Sequence, residues 1–237
     1  MSDSLVIIPT YNERENVDPM IRTIMALPSA FDVLIVDDNS PDGTADIVNK
    51  LISEYPNRLF LLSRKAKDGL GRAYIAGFKW ALERNYQFIF EMDCDFSHPP
   101  QDLIRLKEAC LNGYDMAIGS RYCKDGKVKD WPLSRVLMSY FASLYVRAVL
   151  WFPVKDTTAG FKCYRREVLQ SIDLNSIQFT GYAFQIEMKY AAYKRGFKIT
   201  EVPIIFKDRE KGQSKMSIKI FKEALWGVLK MRFKKYD

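Results

Sequence analysis

The chain carries a single histidine, His98, and two prolines follow it directly. Acid–base catalysis built on histidine therefore finds little support, and His98 reads as a structural turn residue. The four cysteines (Cys94, Cys110, Cys123, Cys163) form no C-x-x-C pair and show no metal-ligand spacing. That leaves reduced thiols and argues against a disulfide framework or a structural zinc site. The opening MSDSLVIIPTYN has no charged leader, long apolar segment or cleavage site, so no signal peptide is expected. No uninterrupted apolar run approaches the ~20 residues that span a bilayer. The nearest, residues 137–152, is shorter and has Arg147 near its middle, so a soluble or peripheral protein is expected. Nor does G-x-G-x-x-G follow the first apolar run. Gly69-x-Gly71 lacks the third glycine because position 74 is tyrosine, which argues against a dinucleotide-dependent oxidoreductase.

What is present suits one sizeable folded domain of 237 residues, with ample apolar content and many aromatics. The net charge of +7 is unevenly spread. Residues 207–237 hold ten Lys/Arg against four Asp/Glu, a net +6, which leaves +1 for everything before them. A partner attracted by positive charge should therefore meet the protein at this end.

Runs rich in Val, Ile, Leu and Phe alternate with amphipathic stretches. Strands are predicted at 5–9, 33–37, 58–62, 88–92 and 116–119. Helices are predicted at 13–27, 44–54 and 72–84, with another opened by Pro99 and Pro100. This alternation predicts an α/β domain: a mostly parallel sheet with helices on both faces. Beyond it, helices are expected over 134–151 and 182–194, a strand over 199–206 and a closing helix from 218. With no repeat or linker, 1–237 reads as one domain.

Ligands of open α/β sheets bind beyond the carboxyl ends of the strands. Polar clusters stand there: 9–13 (PTYNE), 37–43 (DDNSPDG), 91–95 (EMDCD) and 119–121 (GSR). Asn12 and Asn39 also read as ordinary caps, and Pro41-Asp42-Gly43 as an ordinary turn. Asp93-x-Asp95 is the sharpest feature. Two carboxylates just past a buried strand need compensation, and a hard divalent cation, Mg²⁺ or Mn²⁺, supplies it while bridging to a diphosphate. A D-x-D phosphatase would instead carry its aspartates after the first strand. A nucleic-acid binder would account for the basic end but not for these acidic clusters, which repel phosphate unless metal intervenes.

In order along the chain, PTYNERENV, VDDNSPDGTA, MDCDFSHPP, GSRY, DTTAGFKCYRREVL and FKDREKGQSKMS resemble dolichol-phosphate (polyprenyl-phosphate) mannosyltransferases. These are inverting GT-A glycosyltransferases of family 2, and the resemblance spans nearly the whole chain. It implies a GT-A (nucleotide-diphospho-sugar transferase, Rossmann-like) fold. It also implies a nucleotide pocket lined by Pro9, Tyr11, Glu13, Val36 and Asp38. Asp93, Cys94 and Asp95 would face the ribose and diphosphate. Asp95 would be the main metal ligand beside Asp93, and Cys94 would contribute only backbone. Ser97 stands where some relatives have a glutamine ligand. Arg121 would face the reacting phosphates, and Arg135 with Ser139 would hold the acceptor phosphate. Arg209 and Lys215 would clamp either the donor diphosphate or the acceptor phosphate.

The implied reaction is mannosyl transfer from GDP-mannose to dolichyl or polyprenyl phosphate, with glucosyl transfer from UDP-glucose as the nearest alternative. Such an acceptor requires work at a membrane. The stretch from 218 places Ile218, Phe221, Leu225 and Val228 on one stripe, with Lys219, Lys222, Lys230, Lys234 and Lys235 around it and Trp226 available to the interface. The expectation is peripheral binding at the cytoplasmic face of a membrane, directly or through a separate anchor subunit. The helix over 134–152 is a second expected contact, and no nucleic-acid partner is expected.

Overall fold

Leu5, Val6, Ile7 and Ile8 are all wholly buried, because the strand they form is covered on both faces. The computed structural model describes residues 2–208 and 218–236. Arg209 and Lys215 lie outside the described residues. In chain order the elements are β1 (Ser4–Thr10), α1 (Val17–Met25), β2 (Asp32–Asp37), α2 (Thr44–Ile52), β3 (Leu59–Ser63), α3 (Leu70–Leu82), β4 (Phe88–Glu91), α4 (Asp102–Leu111), β5 (Met116–Ser120), β6 (Lys127–Lys129), α5 (Leu133–Leu150), β7 (Lys162–Arg165), α6 (Arg166–Ser171), α7 (Tyr182–Lys194), β8 (Ile199–Pro203), β9 (Ile205–Lys207) and α8 (Ile218–Phe233).

Seven strands form one sheet in the order β3-β2-β1-β4-β7-β5-β8. All are parallel except β7, which runs antiparallel between β4 and β5. Side chains alternate across each strand. Leu5, Ile7, Leu34 and Val36 join α3, α7 and α8 in one core layer. Val6, Ile8, Val33 and Ile35 meet α1, α2 and α4 in the other. Each such burial contributes roughly 1.5–3 kcal/mol. On the first face α3 lies unusually close: a Cβ at Gly77 would fall 2.6 Å from Ile7 Cγ2, so only glycine fits there.

The structure departs from the sequence reading in several places, and it adds β6 and α6, which that reading does not contain. Strand β7 was absent from that reading, because Lys162 and Arg165 disguise a buried strand whose lysine is neutralised internally. The strand expected over 199–206 breaks at Ile204, and β9 leaves the main sheet to pair with β6. The first helix begins at Val17 rather than residue 13, because residues 13–16 form a turn on the Glu13 carbonyl. Asn12 and Asn39 are not helix caps. Both occupy left-handed backbone (φ 58°), which asparagine tolerates.

Among the described residues α5 is the one helix long and apolar enough, by length and composition, to cross a membrane, and only 17% of it is buried. The sequence expectation that no run is long enough holds only for an uninterrupted one. Arg135 and Arg147 interrupt this helix, and Arg135 pairs with Asp208 at 2.9 Å.

Candidate active site

The carboxyl ends of β1, β2, β4 and β5 gather the expected residues into two adjoining groups. In the first, Thr10 and Ser40 hydroxyls both donate to Asp37 (2.9 and 2.6 Å), which ties the β1 and β2 loops together. Beside them Asp38 pairs with Arg64 at 2.5 Å. Burial pushes the Asp38 carboxyl above its ordinary value, while Arg64 works against that rise. Pro9 is half-buried, and Lys67 sits 4.1 Å over the Tyr11 ring. Glu13 accepts from Asn16 Nδ2 at 2.9 Å. Val36 departs from expectation: its side chain is wholly inside the core, so it can reach a bound nucleotide only through its backbone.

The second group lines a cavity of about 160 Å³ reached by Asp93, Asp95, Ser97, His98, Arg121, Arg135 and Ser139. Asp95, 8% exposed, is fixed by a local turn in which Oδ1 accepts from Ser97 N–H (3.1 Å) and Oγ–H (2.6 Å). Ser97 therefore shapes Asp95 through both its N–H and its hydroxyl. Asp93 is more open, and Tyr74 donates weakly to it at 3.4 Å. Between them Cys94 is buried. Burial pushes its thiol well above the ordinary value, with the Glu13, Asp95 and Asp93 carboxylates adding to the rise. Its side chain is packed in the core.

His98 is a structural residue. Its ring stacks on Phe161 at 5.0 Å, and Nδ1 accepts the Asp93 N–H at 3.2 Å. Burial pushes its pKa down to about 4, so it is neutral near pH 7. It holds the D-x-D loop rather than carrying a proton.

Arg121 is locked. Its Nε and Nη2 donate to both oxygens of wholly buried Asp156 (2.7 and 2.6 Å), and Nη2 also donates to Thr158 Oγ1 at 2.7 Å. Burial alone would raise the Asp156 carboxyl, but Arg121 overrides it and holds the group below its ordinary value. Arg121 and Arg135 both lie over the Trp131 ring, at 5.6 and 3.9 Å, which brings two guanidinium groups to one cavity wall.

Sequence reasoning passed over Asp156, Thr158, Trp131, Arg64 and Gln185. One signal was available. DTTAGFK stood among the family motifs without a role for its aspartate, and α7 buries Gln185, Glu187 and Lys189 within thirteen residues. Polar groups so placed are rare unless partnered or used.

Two carboxylates with all-oxygen donors fit a divalent cation that takes its remaining ligands from diphosphate and water. Among the described residues no cluster of three or more acidic, histidine or cysteine side chains could enclose a metal unaided.

The fold is a single α/β domain of GT-A-like architecture, the class of many glycosyltransferases. The model of glycosyl transferase family 2 matches residues 5–173, so the chain belongs to that family and is a glycosyltransferase. It is 46% identical over 230 residues to polyprenol monophosphomannose synthase of Mycolicibacterium smegmatis, covering 95% of this chain and 87% of that protein. It is 39% identical to dolichol-phosphate mannosyltransferase of Pyrococcus furiosus, covering 95% of this chain and 62% of that protein. In fold it is similar to glucosyl-3-phosphoglycerate synthase from Mycobacterium tuberculosis, crystallised with Mn²⁺, UDP and glucosyl-3-phosphoglycerate. That match has TM-score 0.67 and 17% identity, over 96% of this chain and 77% of the other. It is also similar to a mannosyltransferase from Pyrobaculum calidifontis in complex with GDP-Man and Mn²⁺. There the TM-score is 0.59 and the identity 14%, over 98% of this chain and 70% of the other.

Proposed function

We propose that this enzyme transfers mannose from GDP-mannose to a polyprenyl phosphate with inversion, releasing GDP. The observation that carries this reading is the mixed lining of one cavity. Asp93, Asp95, Arg121 and Arg135 line it together with Met138, Ala142, Val146, Leu225 and Val228 from α5 and α8. Charged and apolar side chains in one cavity suit an acceptor with an anionic head and an apolar tail. A long polyprenyl chain exceeds the cavity volume, so the tail must leave along α5 and α8.

In the mechanism, an acceptor phosphate oxygen attacks the anomeric carbon opposite the leaving diphosphate. A phosphate monoester, with a second pKa near ~6, is already largely ionised, so no general base is needed. This suits a site whose one histidine is buried and neutral. Asp93 and Asp95 would hold a Mg²⁺ or Mn²⁺ ion, which when bound neutralises the diphosphate. Arg121, fixed by Asp156 and Thr158, presents a preorganised positive charge to the phosphates without reorganising. Arg135 and Ser139, four residues apart on α5, face the same space for the acceptor head. Pro9, Tyr11, Glu13 and Asp38 form the nucleotide side. With Mn²⁺ and a short-chain polyprenyl phosphate, GDP-mannose should be the preferred donor in a nucleotide-sugar panel. A higher kcat/KM for UDP-glucose would refute the mannosyl assignment.

The same reading places the enzyme peripherally at the cytoplasmic face of a membrane. Its free thiols suit a reducing compartment. Here the sequence expectation for α8 needs correction. Val228, assigned to the lipid-facing stripe, is 1% exposed and packs in the core, and Lys234 pairs with buried Glu187 at 2.7 Å. The side chains of Ile218, Phe221, Lys219 and Lys222 lie outside the described residues. Among the described side chains of α8, Trp226, Leu229 and Phe233 form an exposed apolar stripe, with Trp226 70% and Phe233 86% exposed. On α5, Leu133, Leu137, Phe141 and Leu144 are exposed at helical spacing. The two helices are joined where the Tyr145 hydroxyl donates to the Leu225 carbonyl at 3.1 Å. Changing Trp226 and Phe233 to serine should weaken co-sedimentation with anionic vesicles by about tenfold per side chain. Unchanged binding would exclude the stripe. Point variants are preferable to truncation, because Val228 and Met231 belong to the core.

A further inference from the structure

Gln185, on α7, is 2% exposed, yet its amide borders the cavity between Gly160 and the D-x-D loop. Its Oε1 accepts a hydrogen bond from Lys162 Nζ. An ammonium group only donates, so the amide oxygen must face Lys162 and Nε2 must face the other way. Lys162 cannot swing aside. It is wholly buried and paired with Glu91 at 3.0 Å, and the Tyr164 hydroxyl donates to the same Glu91 oxygen at 2.6 Å. The orientation of the Gln185 amide is therefore imposed by charges on β4 and β7.

Nε2 finds no acceptor among the described residues, although it is buried. Buried donors are nearly always satisfied, so an orphan beside a substrate cavity points to an acceptor on the ligand. A Cβ at Gly160 would stand in ordinary contact with both, 3.5 Å from Nε2 and 3.6 Å from His98 Cε1, so Nε2, Gly160 and His98 meet at one part of the cavity wall. His98 is itself held by the Asp93 N–H. Gln185 lines the same cavity as Asp93 and Asp95, which would hold the metal ion of the sugar diphosphate, so the transferred sugar falls within that cavity.

We propose that Gln185 Nε2 donates a hydrogen bond to a hydroxyl oxygen of the transferred hexose, making Gln185 a sugar-selecting residue of the active site. This rests on the nucleotide-sugar reading above and adds to it a specific contact.

The test uses the full chain and two substitutions. Gln185→Met removes the amide at similar length. Gln185→Glu keeps an oxygen for Lys162 and removes the donor, so it carries the test alone if the methionine variant does not fold. Each variant and the wild type are assayed with GDP-mannose and with its 2-, 3-, 4- and 6-deoxy analogues. Affinity for GDP with Mn²⁺ and KM for the acceptor are measured alongside. Loss of the donor should lower kcat/KM for GDP-mannose by about 10- to 100-fold. For one deoxy analogue the wild type should lose about tenfold and the variants almost nothing, because the contact is already gone. GDP affinity and acceptor KM should stay within about twofold. The proposal is overturned if all four analogues lose equally in variant and wild type, or if acceptor KM rises instead. Should the wild type prefer another nucleotide sugar, the mannose assignment fails by itself. The same comparison with deoxy forms of that sugar then still decides the role of Gln185.

Discussion

Replacing Asp95 by asparagine is expected to lower kcat by about 10²–10³-fold while leaving the fold intact, the scale set by losing one preorganised electrostatic contact to the reacting group. The reason lies in how the side chain is held. Oδ1 is engaged by both Ser97 donors, so the orientation of the carboxylate is set before any ligand arrives. Asparagine keeps an oxygen for those donors and removes only the charge, so the local turn should survive. A larger loss is expected for Asp95→Ala, which also unties Ser97. Asp93→Ala should be milder, because Asp93 is more exposed and Tyr74 reaches it only at 3.4 Å. The measurements are turnover against Mn²⁺ concentration and calorimetric titration of Mn²⁺ in the presence of GDP, with circular dichroism as the folding control. Near-native turnover and unchanged Mn²⁺ affinity in Asp95→Asn would remove this residue from the metal site.

The largest combined effect on stability and activity should come from Asp156. Asp156→Ala leaves the Arg121 guanidinium buried without its counter-charge, and breaking such a pair from one side costs about 3–5 kcal/mol. For a chain of this size that lowers the melting temperature by about 10 °C. Turnover should fall as well, because Arg121 loses three of the donor contacts that aim it, including its own backbone N–H to Asp156 at 2.9 Å. Replacing both partners, Arg121→Met with Asp156→Leu, should recover much of the stability and none of the activity, since an apolar pair of similar volume avoids the stranded charge. If the double variant regains turnover, Arg121 has no part in the reaction. The pH dependence has a defined sign. The folded Asp156 carboxyl sits below its ordinary value, so the pair contributes fully above the ordinary carboxylate range. That contribution disappears as pH falls through the depressed value. The gap in stability between wild type and Asp156→Asn should therefore persist at neutral pH and close only in acid.

Much of this architecture is legible in the chain. A buried parallel strand must be apolar on both faces, so Leu5–Ile8 and Val33–Val36 announce themselves without any tertiary information. Carboxylates at the end of such a strand are equally conspicuous, which is why Asp93 and Asp95 stand out before the fold is known. Strand β7 was invisible for the converse reason. Lys162 looks like a surface residue until Glu91, 71 positions earlier, is placed 3.0 Å from it. Val228 and Lys234 show the same limit on α8. A helical stripe gives an apolar face, but not whether that face meets the core or the solvent.

Composition, period and strand-end chemistry thus determined by themselves the α/β class, the order of the main elements and the D-x-D pair, while the family rested on the resemblance of the ordered motifs. Those properties depend on neighbours a few residues apart. Only the tertiary structure decided that Arg121 is clamped by Asp156, that Gln185 turns its donor toward the cavity, and which sides of α5 and α8 are exposed. Each of these depends on bringing charges or surfaces together from distant parts of the chain. Burial then makes their pairing energetically decisive, and neither burial nor pairing has a local signature in sequence.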